Sequence, residues 1–342
     1  MPKPRRKPPA PEVMRELLTI YWVPQMLFTV AKLGVADVLA KGPLTPEAIA
    51  KRVGAHAPFL RRVLRALASA GVFAEGPGGR FRLTPLAQTL RRDRPGSMRD
   101  FALMIVDDWV WQTWAALEHG VTTGGNVFEH IHHLPTFAYL QQHPEKERMF
   151  AAAMASASST ENSAVARAYP FGRLSRLVDV GGAHGHLLAT ILRRHKKLRG
   201  VLYDQPQVVA SAAKSGFVTA PEIKDRCQIV GGDFFASVPA GADGYIMKYI
   251  IHDWDDEKSL RLLGNCRDAM AHDSRVLVVD HVIPPGNGPN WGKLLDVNMM
   301  IGPGGQERTR EEFRDLFTRA GLRLKRVIPT ACPLSIVEAV RA

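Results

Sequence analysis

The chain has 342 residues, enough for two modules in one polypeptide, and its 46% hydrophobic and 23% charged residues exclude wholesale disorder. Its formal charge of +12 is unevenly placed: residues 1–100 hold 18 Lys/Arg against 7 Asp/Glu, a net +11, and the other 242 residues carry +1. The most apolar stretch, Val23 to Ala40, is interrupted by Lys32 and Asp37, no apolar signal core follows the basic start, and Cys227, Cys266 and Cys332 lie far apart. These features argue against a membrane span, a secretory leader, a disulfide scaffold and a zinc ribbon, and the expectation is a cytoplasmic protein.

In chain order, residues 1–12 read as a disordered, basic, Pro-rich tail. Val13 to Ala40 carries Leu17, Leu18, Tyr21, Trp22, Met26, Leu27, Val30 and Leu33 at three- and four-residue steps, which predicts an amphipathic helix. Thr45-Pro46 opens a short helix that Gly54 stops. Ala57 to Ala70 follows as a second helix, with Leu60, Val63, Leu64 and Leu67 on one face and Arg61, Arg62 and Arg65 on the other. Residues 72–75 and 80–84, around Gly76-Pro77-Gly78-Gly79, read as strand, tight turn, strand. Helix, turn, helix and hairpin within 13–100 make a winged-helix arrangement. Residues 101–170 read as wholly helical, with a Met- and Trp-rich stripe that is core packing. From 171 to 342 strands alternate with helices: strands at 177–180, 200–203, 227–230, 245–250 and 275–279, then two closing strands near 322–327 and 334–340. That alternation predicts an α/β domain with a mostly parallel, seven-stranded sheet whose ligands lie beyond the carboxyl ends of the strands.

Four motifs sit at those strand ends. The first is Asp179-Val180-Gly181-Gly182-Ala183-His184-Gly185. The dinucleotide fingerprint G-x-G-x-x-G fails here, because Ala183 and His186 stand where its second and third glycines belong. An acidic residue followed by small residues at alternate positions suits a nucleoside bound without phosphates. The second is Asp204, ending the next strand, where a carboxylate can accept bonds from both ribose hydroxyls, with Gly232-Asp233-Phe234 after the third strand for an adenine amine and ring face. The third is Lys248-Tyr249-Ile250-Ile251-His252-Asp253-Trp254, in which an imidazole could deprotonate a phenol, or else merely precede the cap of the next helix. The fourth is Gly304-Gly305-Gln306-Glu307-Arg308-Thr309, where Thr309 and Glu312 form a capping box that leaves Glu307 unexplained.

In this order, behind a winged-helix front, the motifs resemble those of class I S-adenosylmethionine-dependent O-methyltransferases of the plant caffeate/flavonoid type and their bacterial secondary-metabolite counterparts. The resemblance runs from about Val13 to Val340. It implies a Rossmann-like methyltransferase sheet in 171–342, a homodimer through a dimerisation domain at 13–100, and a linker and acceptor-pocket segment at 101–170. It further implies S-adenosyl-L-methionine as donor, no metal, and a small hydroxylated aromatic or polyketide-like acceptor methylated on a phenolic hydroxyl. By position, His252 matches the general base and Asp280 and Glu307 the acids flanking it. Asp179, Gly181, Asp204, Gly232, Asp233, Phe234 and Lys248 match the donor site, and Met154, Asp253 and Met300 the acceptor pocket. Asp280 stands where plant members carry Glu, one methylene longer.

Three rival readings were weighed. The same scaffold supports N-methylation, or hydroxylase and decarboxylase chemistry without methyl transfer. A winged-helix DNA-binding regulator would use the Arg61, Arg62 and Arg65 face. A metal enzyme would use His130, His132 and His133 or His184 and His186. The expectation is a small-molecule enzyme with no nucleic-acid or membrane partner.

Overall fold

The computed structural model describes residues 8–342, so most of the basic tail expected over 1–12 lies outside the described residues. The first helix already begins at Ala10. The chain divides into two compact units, one within Met1–Trp111 and His143–Ala157, the other Gln112–Gln142 with Ser158–Ala342. Among the described residues, no single helix is long and apolar enough to cross a membrane.

In the first unit, the single helix expected over 13–40 is instead three pieces, Ala10–Thr19, Trp22–Leu33 and Val35–Val38. Pro24 has no N–H to continue the ladder and its ring crowds the preceding turn, which breaks the chain near Ile20. Gly34, at φ 72°, closes the second piece with a left-handed cap. The short helix Pro46–Val53 is capped by Thr45, whose Oγ1 accepts the Ala48 N–H at 3.4 Å. In the helix Ala57–Ser69, Leu60, Leu64 and Leu67 are buried while Arg61, Arg62 and Arg65 are exposed. Strands β1 (Phe73–Gly76) and β2 (Arg80–Leu83) pair antiparallel across a turn in which Gly78 takes φ 67°. Val35, Ile49, Leu64, Leu67, Phe73 and Phe81 form the centre of this unit's core. The helical segment expected over 101–170 is helical, and it is shared out between the two units.

The second unit is built on strands β3 (Arg176–Val180), β4 (Arg199–Asp204), β5 (Cys227–Gly231), β6 (Gly244–Lys248), β7 (Arg275–Asp280), β8 (Val282–Ile283), β9 (Arg308–Thr309), β10 (Leu322–Pro329) and β11 (Ser335–Arg341). Seven of them form one sheet in the order β10-β11-β7-β6-β3-β4-β5. The five strands from β7 to β5 are parallel, and β10 and β11 are antiparallel. Side chains alternate between two cores: Leu177, Leu202, Ile246 and Leu277 enter one, and Val178, Tyr203, Met247 and Val278 the other. From β3 the chain steps outward through β4 to β5, then returns to the other side of β3 as β6. That reversal opens a crevice at the carboxyl ends of β3 and β6.

Two details depart from the sequence reading, and both shape the crevice. The strand expected to reach Ile250 stops at Lys248, because Tyr249 turns to φ 57°. Its N–H is used by the Val279 carbonyl at 3.2 Å and Asp280 Oδ1 at 2.9 Å. The second departure is the small parallel pair β8–β9, with Val282 opposite Arg308, which brings the segment after β7 alongside Glu307. The capping box is present: Glu312 N–H donates to Thr309 Oγ1 at 3.2 Å, and Thr309 N–H to Glu312 Oε2 at 2.7 Å.

Candidate active site

The loop after β3 is shaped by a lack of side chains. Gly181 takes φ 69° and Gly185 φ 76°. A Cβ on Gly181 would run into the Ile250 side chain, and one on Gly182 would lie 2.7 Å from the Asp179 carboxyl carbon. The Gly181 and Gly182 N–H groups both donate to the Tyr203 carbonyl, at 2.8 and 3.3 Å. Ala183, at φ 48°, donates its N–H to Asp204 Oδ2 at 2.8 Å, and Gln205 N–H donates to Asp204 Oδ1 at 2.7 Å. Asp204 is therefore the clamp of this loop, and each carboxylate oxygen keeps a further acceptor position. Burial raises its pKa above the ordinary range.

Asp179 is the unusual acid of the site. It is 2% exposed and its Oδ2 has no hydrogen-bond partner. Burial, then the neighbouring Asp204 charge, push its pKa to about 7, with Lys248 opposing. After β5, Gly232 donates its N–H to the Asp204 carbonyl at 2.9 Å, and a Cβ there would collide with the Tyr203 hydroxyl. Asp233 is exposed, with Oδ1 accepting the Phe235 N–H at 2.8 Å. Phe234 meets Phe235 edge-on at 4.7 Å and Trp254 at 6.2 Å. Lys248 is partly buried, with Nζ 2.9 Å from both Glu161 Oε2 and Asn162 Oδ1. A bare glycine loop, an unpaired buried carboxylate and two further acids at successive strand ends fit a cationic nucleoside without phosphates.

Across the crevice, His252 is 7% exposed on the short 3-10 turn Ile251–Asp253. Its Nδ1 lies 2.7 Å from Glu307 Oε1. Asp253, partly exposed, has Oδ1 3.4 Å from Nε2. Burial, with Asp296 nearby, raises Glu307 to about 8, and burial raises Asp253 to about 7. Asp280 was expected to flank the imidazole together with Glu307, but its hydrogen bond goes to the Tyr249 N–H, and its Oδ2 has no partner. It acts on His252 through charge. Burial raises Asp280 to about 6, with His252 opposing.

Of the acceptor-side residues, Met300 ends the helix Trp291–Ile301 and is 40% exposed, while Met154 belongs to the other unit. The histidines weighed as metal ligands pack as rings: His130 stacks on His119 at 3.8 Å, and His132 lies 4.3 Å from Phe128. Among the described residues, no group of three or more His, Cys, Asp or Glu is gathered to hold a metal ion.

The sequence reading missed four contributors. Arg308 is 1% exposed, and its guanidinium donates to the carbonyls of Ile251 and Trp254 and to Asp256 Oδ1, tying the His252 turn to the Glu307 segment. Its place in the Gly-Gly-x-Glu-Arg-Thr motif was the available signal. Glu161 and Asn162 reach Lys248 from a long helix with no local signature. Gly305 is packed so closely that a Cβ would strike the His252 carbonyl.

Comparison with known proteins bears on this site. Residues 114–323 match the family model of the O-methyltransferase domain, and residues 15–93 that of the O-methyltransferase dimerisation domain. The chain is 44% identical over 331 residues to the phenazine O-methyltransferase PhzM of Lysobacter antibioticus, covering 97% of this chain and 96% of that one. It is 35% identical to the 8-amino-8-demethylriboflavin N,N-dimethyltransferase of Streptomyces davaonensis, over 92% and 90% of the two chains. Among solved structures, CalO1, a methyltransferase in calicheamicin biosynthesis in its SAH-bound form, superposes with a TM-score of 0.88 at 39% identity, over 97% and 98% of the chains.

Proposed function

The chain belongs to the O-methyltransferase family, and on that premise we propose that it methylates a phenolic hydroxyl of a small, multi-ring aromatic metabolite, with His252 as general base. It is an S-adenosyl-L-methionine-dependent methyltransferase of the secondary-metabolite type on a Rossmann-like sheet. The observation that carries the finer reading is the buried His252–Glu307 pair at 2.7 Å, opposite the glycine loop. A phenolic acceptor is supported by the likeness to the phenazine enzyme.

When bound, the donor supplies an electrophilic methyl group on a positively charged sulfur. Asp179, Asp204 and Asp233 would hold it, with the Gly181–Gly185 loop against it and Phe234 beside its base. Lys248 fixes the helix side of the cleft through Glu161 and Asn162. Glu307 as carboxylate accepts the Nδ1–H of His252, which leaves Nε2 bare and able to take the acceptor proton. Asp253, beside Nε2, stabilises the imidazolium that results. The rest of the rate comes from alignment of donor and acceptor in the crevice.

The experiment is direct. The protein is incubated with labelled S-adenosylmethionine and a panel of hydroxyphenazines, hydroxyquinones and simple phenols, each paired with its amino analogue, and products are read by mass. Transfer to oxygen in the multi-ring hydroxyl compounds is expected. Transfer only to the amino analogues, or to none, overturns the reading.

Glu307 gives a pH test. The carboxylate of Glu307 is the form that accepts the Nδ1–H, and burial raises Glu307 to about 8, which makes the loss of its proton harder. kcat/KM should therefore rise between pH 6 and about pH 8. In Glu307→Gln the amide oxygen still accepts from Nδ1 but no longer titrates, so the rise moves to lower pH and kcat falls by roughly tenfold. An unshifted profile would remove Glu307 from the pair.

We also propose a homodimer formed through the first unit. The dimerisation-domain match and the exposed Leu17, Leu18, Ile20 and Trp22 support it.

A further inference from the structure

Tyr249 holds a backbone conformation that bulky residues avoid. It sits at φ 57°, where asparagine and glycine are at ease and an aromatic residue is strained. Five contacts hold it there. Its N–H is bonded to the Val279 carbonyl and to Asp280 Oδ1. Its hydroxyl donates to Glu161 Oε1 at 2.9 Å. The Lys248 ammonium lies 5.1 Å from the ring centre, and the His252 imidazole lies 5.0 Å away at an interplanar angle of 28°. Strain of this kind persists only where the surroundings over-determine it, and such places cluster at working sites.

The geometry shows what the strain achieves. One hydrogen bond, donated by Nδ1–H to Glu307, anchors His252 at that atom but leaves the ring free to turn about that bond. A near-parallel aromatic face fixes the remaining rotation and so sets where Nε2 points. The left-handed turn is what carries the Tyr249 ring back over the imidazole, and the Glu161 bond pins the far end of that ring. Asp280, which does not bond His252, acts here as well by holding the Tyr249 N–H.

We infer that Tyr249 is a positioning residue for His252, setting the plane of its imidazole from the donor side of the crevice. This rests on His252 being the base. The assignment comes from the ring geometry and the positive φ.

The test uses the full chain. Tyr249→Asn and Tyr249→Gly keep a residue content with the left-handed turn but remove the ring. Tyr249→Phe and Tyr249→Trp restore a ring. For each, kcat, acceptor KM, donor Kd by calorimetry and melting temperature are measured. Removing the ring should lower kcat on the order of 10- to 100-fold while donor Kd stays within about threefold, as expected for lost alignment. The Phe and Trp variants should recover most of the turnover. Wild-type kcat in the Asn or Gly variant overturns the inference. So does a donor Kd that weakens in step with kcat, or Phe and Trp variants as slow as Asn. Should the Asn variant fail to fold, the Gly variant carries the comparison; should neither fold while Phe does, Tyr249 is structural and the inference falls. His252→Ala separates the two levels. If that variant turns over at the wild-type rate, the base assignment fails; if it is inactive while Tyr249→Asn is fully active, only the role of Tyr249 fails.

Discussion

His252→Ala should bind S-adenosylmethionine as the wild type does and lose on the order of 10²- to 10⁴-fold in kcat on a weakly acidic phenol, the range that one positioned base contributes. The reasons are local. His252 is buried, its Nδ1 is taken by Glu307, and the acids proposed for the donor lie on other strands, at or just after the carboxyl ends of β3, β4 and β5. Loss of the imidazole therefore removes a proton acceptor and leaves the donor contacts in place. The deficit should shrink for acceptors whose hydroxyl is already ionised at the assay pH, because those need no base. It should also be small for an amine, which attacks through a lone pair and sheds its proton afterwards. The same variant thus distinguishes oxygen from nitrogen acceptors, a distinction that matters for a chain with both kinds of relative. Calorimetry of donor binding beside steady-state rates on phenols of graded acidity makes the measurement. An equal loss across all phenols, or none, removes His252 as base.

Much of this site was legible in the sequence because its signals are local. Glycines before a helix, acids at strand ends and a capping box each impose a short-range pattern, and the elements that carry them, Arg176–Val180, Arg199–Asp204 and Arg310–Arg319, lie where periodicity puts them. What stayed hidden depends on partners far along the chain. Tyr249 reads as one more β-forming residue, and only Asp280, Val279 and Glu161 together drive it left-handed. Arg308 reads as a surface charge until its carbonyl partners at Ile251 and Trp254 are assembled around it. The N-terminal helix was drawn too long because apolar spacing continues across Pro24 and Gly34, while backbone hydrogen bonding does not. The motif supplies Asp280, and its hydrogen bond to the Tyr249 N–H depends on a turn that the motif does not specify.

Asp179→Asn should make the free protein more stable above neutral pH and a poorer binder of the donor. The carboxyl is 2% exposed, unpaired at Oδ2, and raised to about 7 by burial and Asp204. An unfolded aspartate ionises near 4. The folded state therefore holds this proton more tightly than the unfolded state does. The stability Asp179 contributes is full below about pH 4 and is lost as pH rises through 7, because the charged form is then buried with Oδ2 unbonded and Lys248 only partly offsetting the cost. Asparagine cannot ionise, so the variant should exceed the wild type at pH 8 by a few kcal/mol, to order of magnitude, and the gap should close toward pH 5. Binding runs the other way. A cationic donor favours the ionised carboxylate, so wild-type affinity should strengthen between pH 6 and pH 8. In the variant affinity should fall on the order of 100-fold, the scale of losing one partner of a buried charge pair. That part of the pH dependence should vanish with it. Melting curves and donor titrations at pH 5.5, 7 and 8 read both effects. A variant no more stable at pH 8 would mean that the buried charge costs the fold nothing. One that binds donor as tightly as the wild type would place the cation elsewhere.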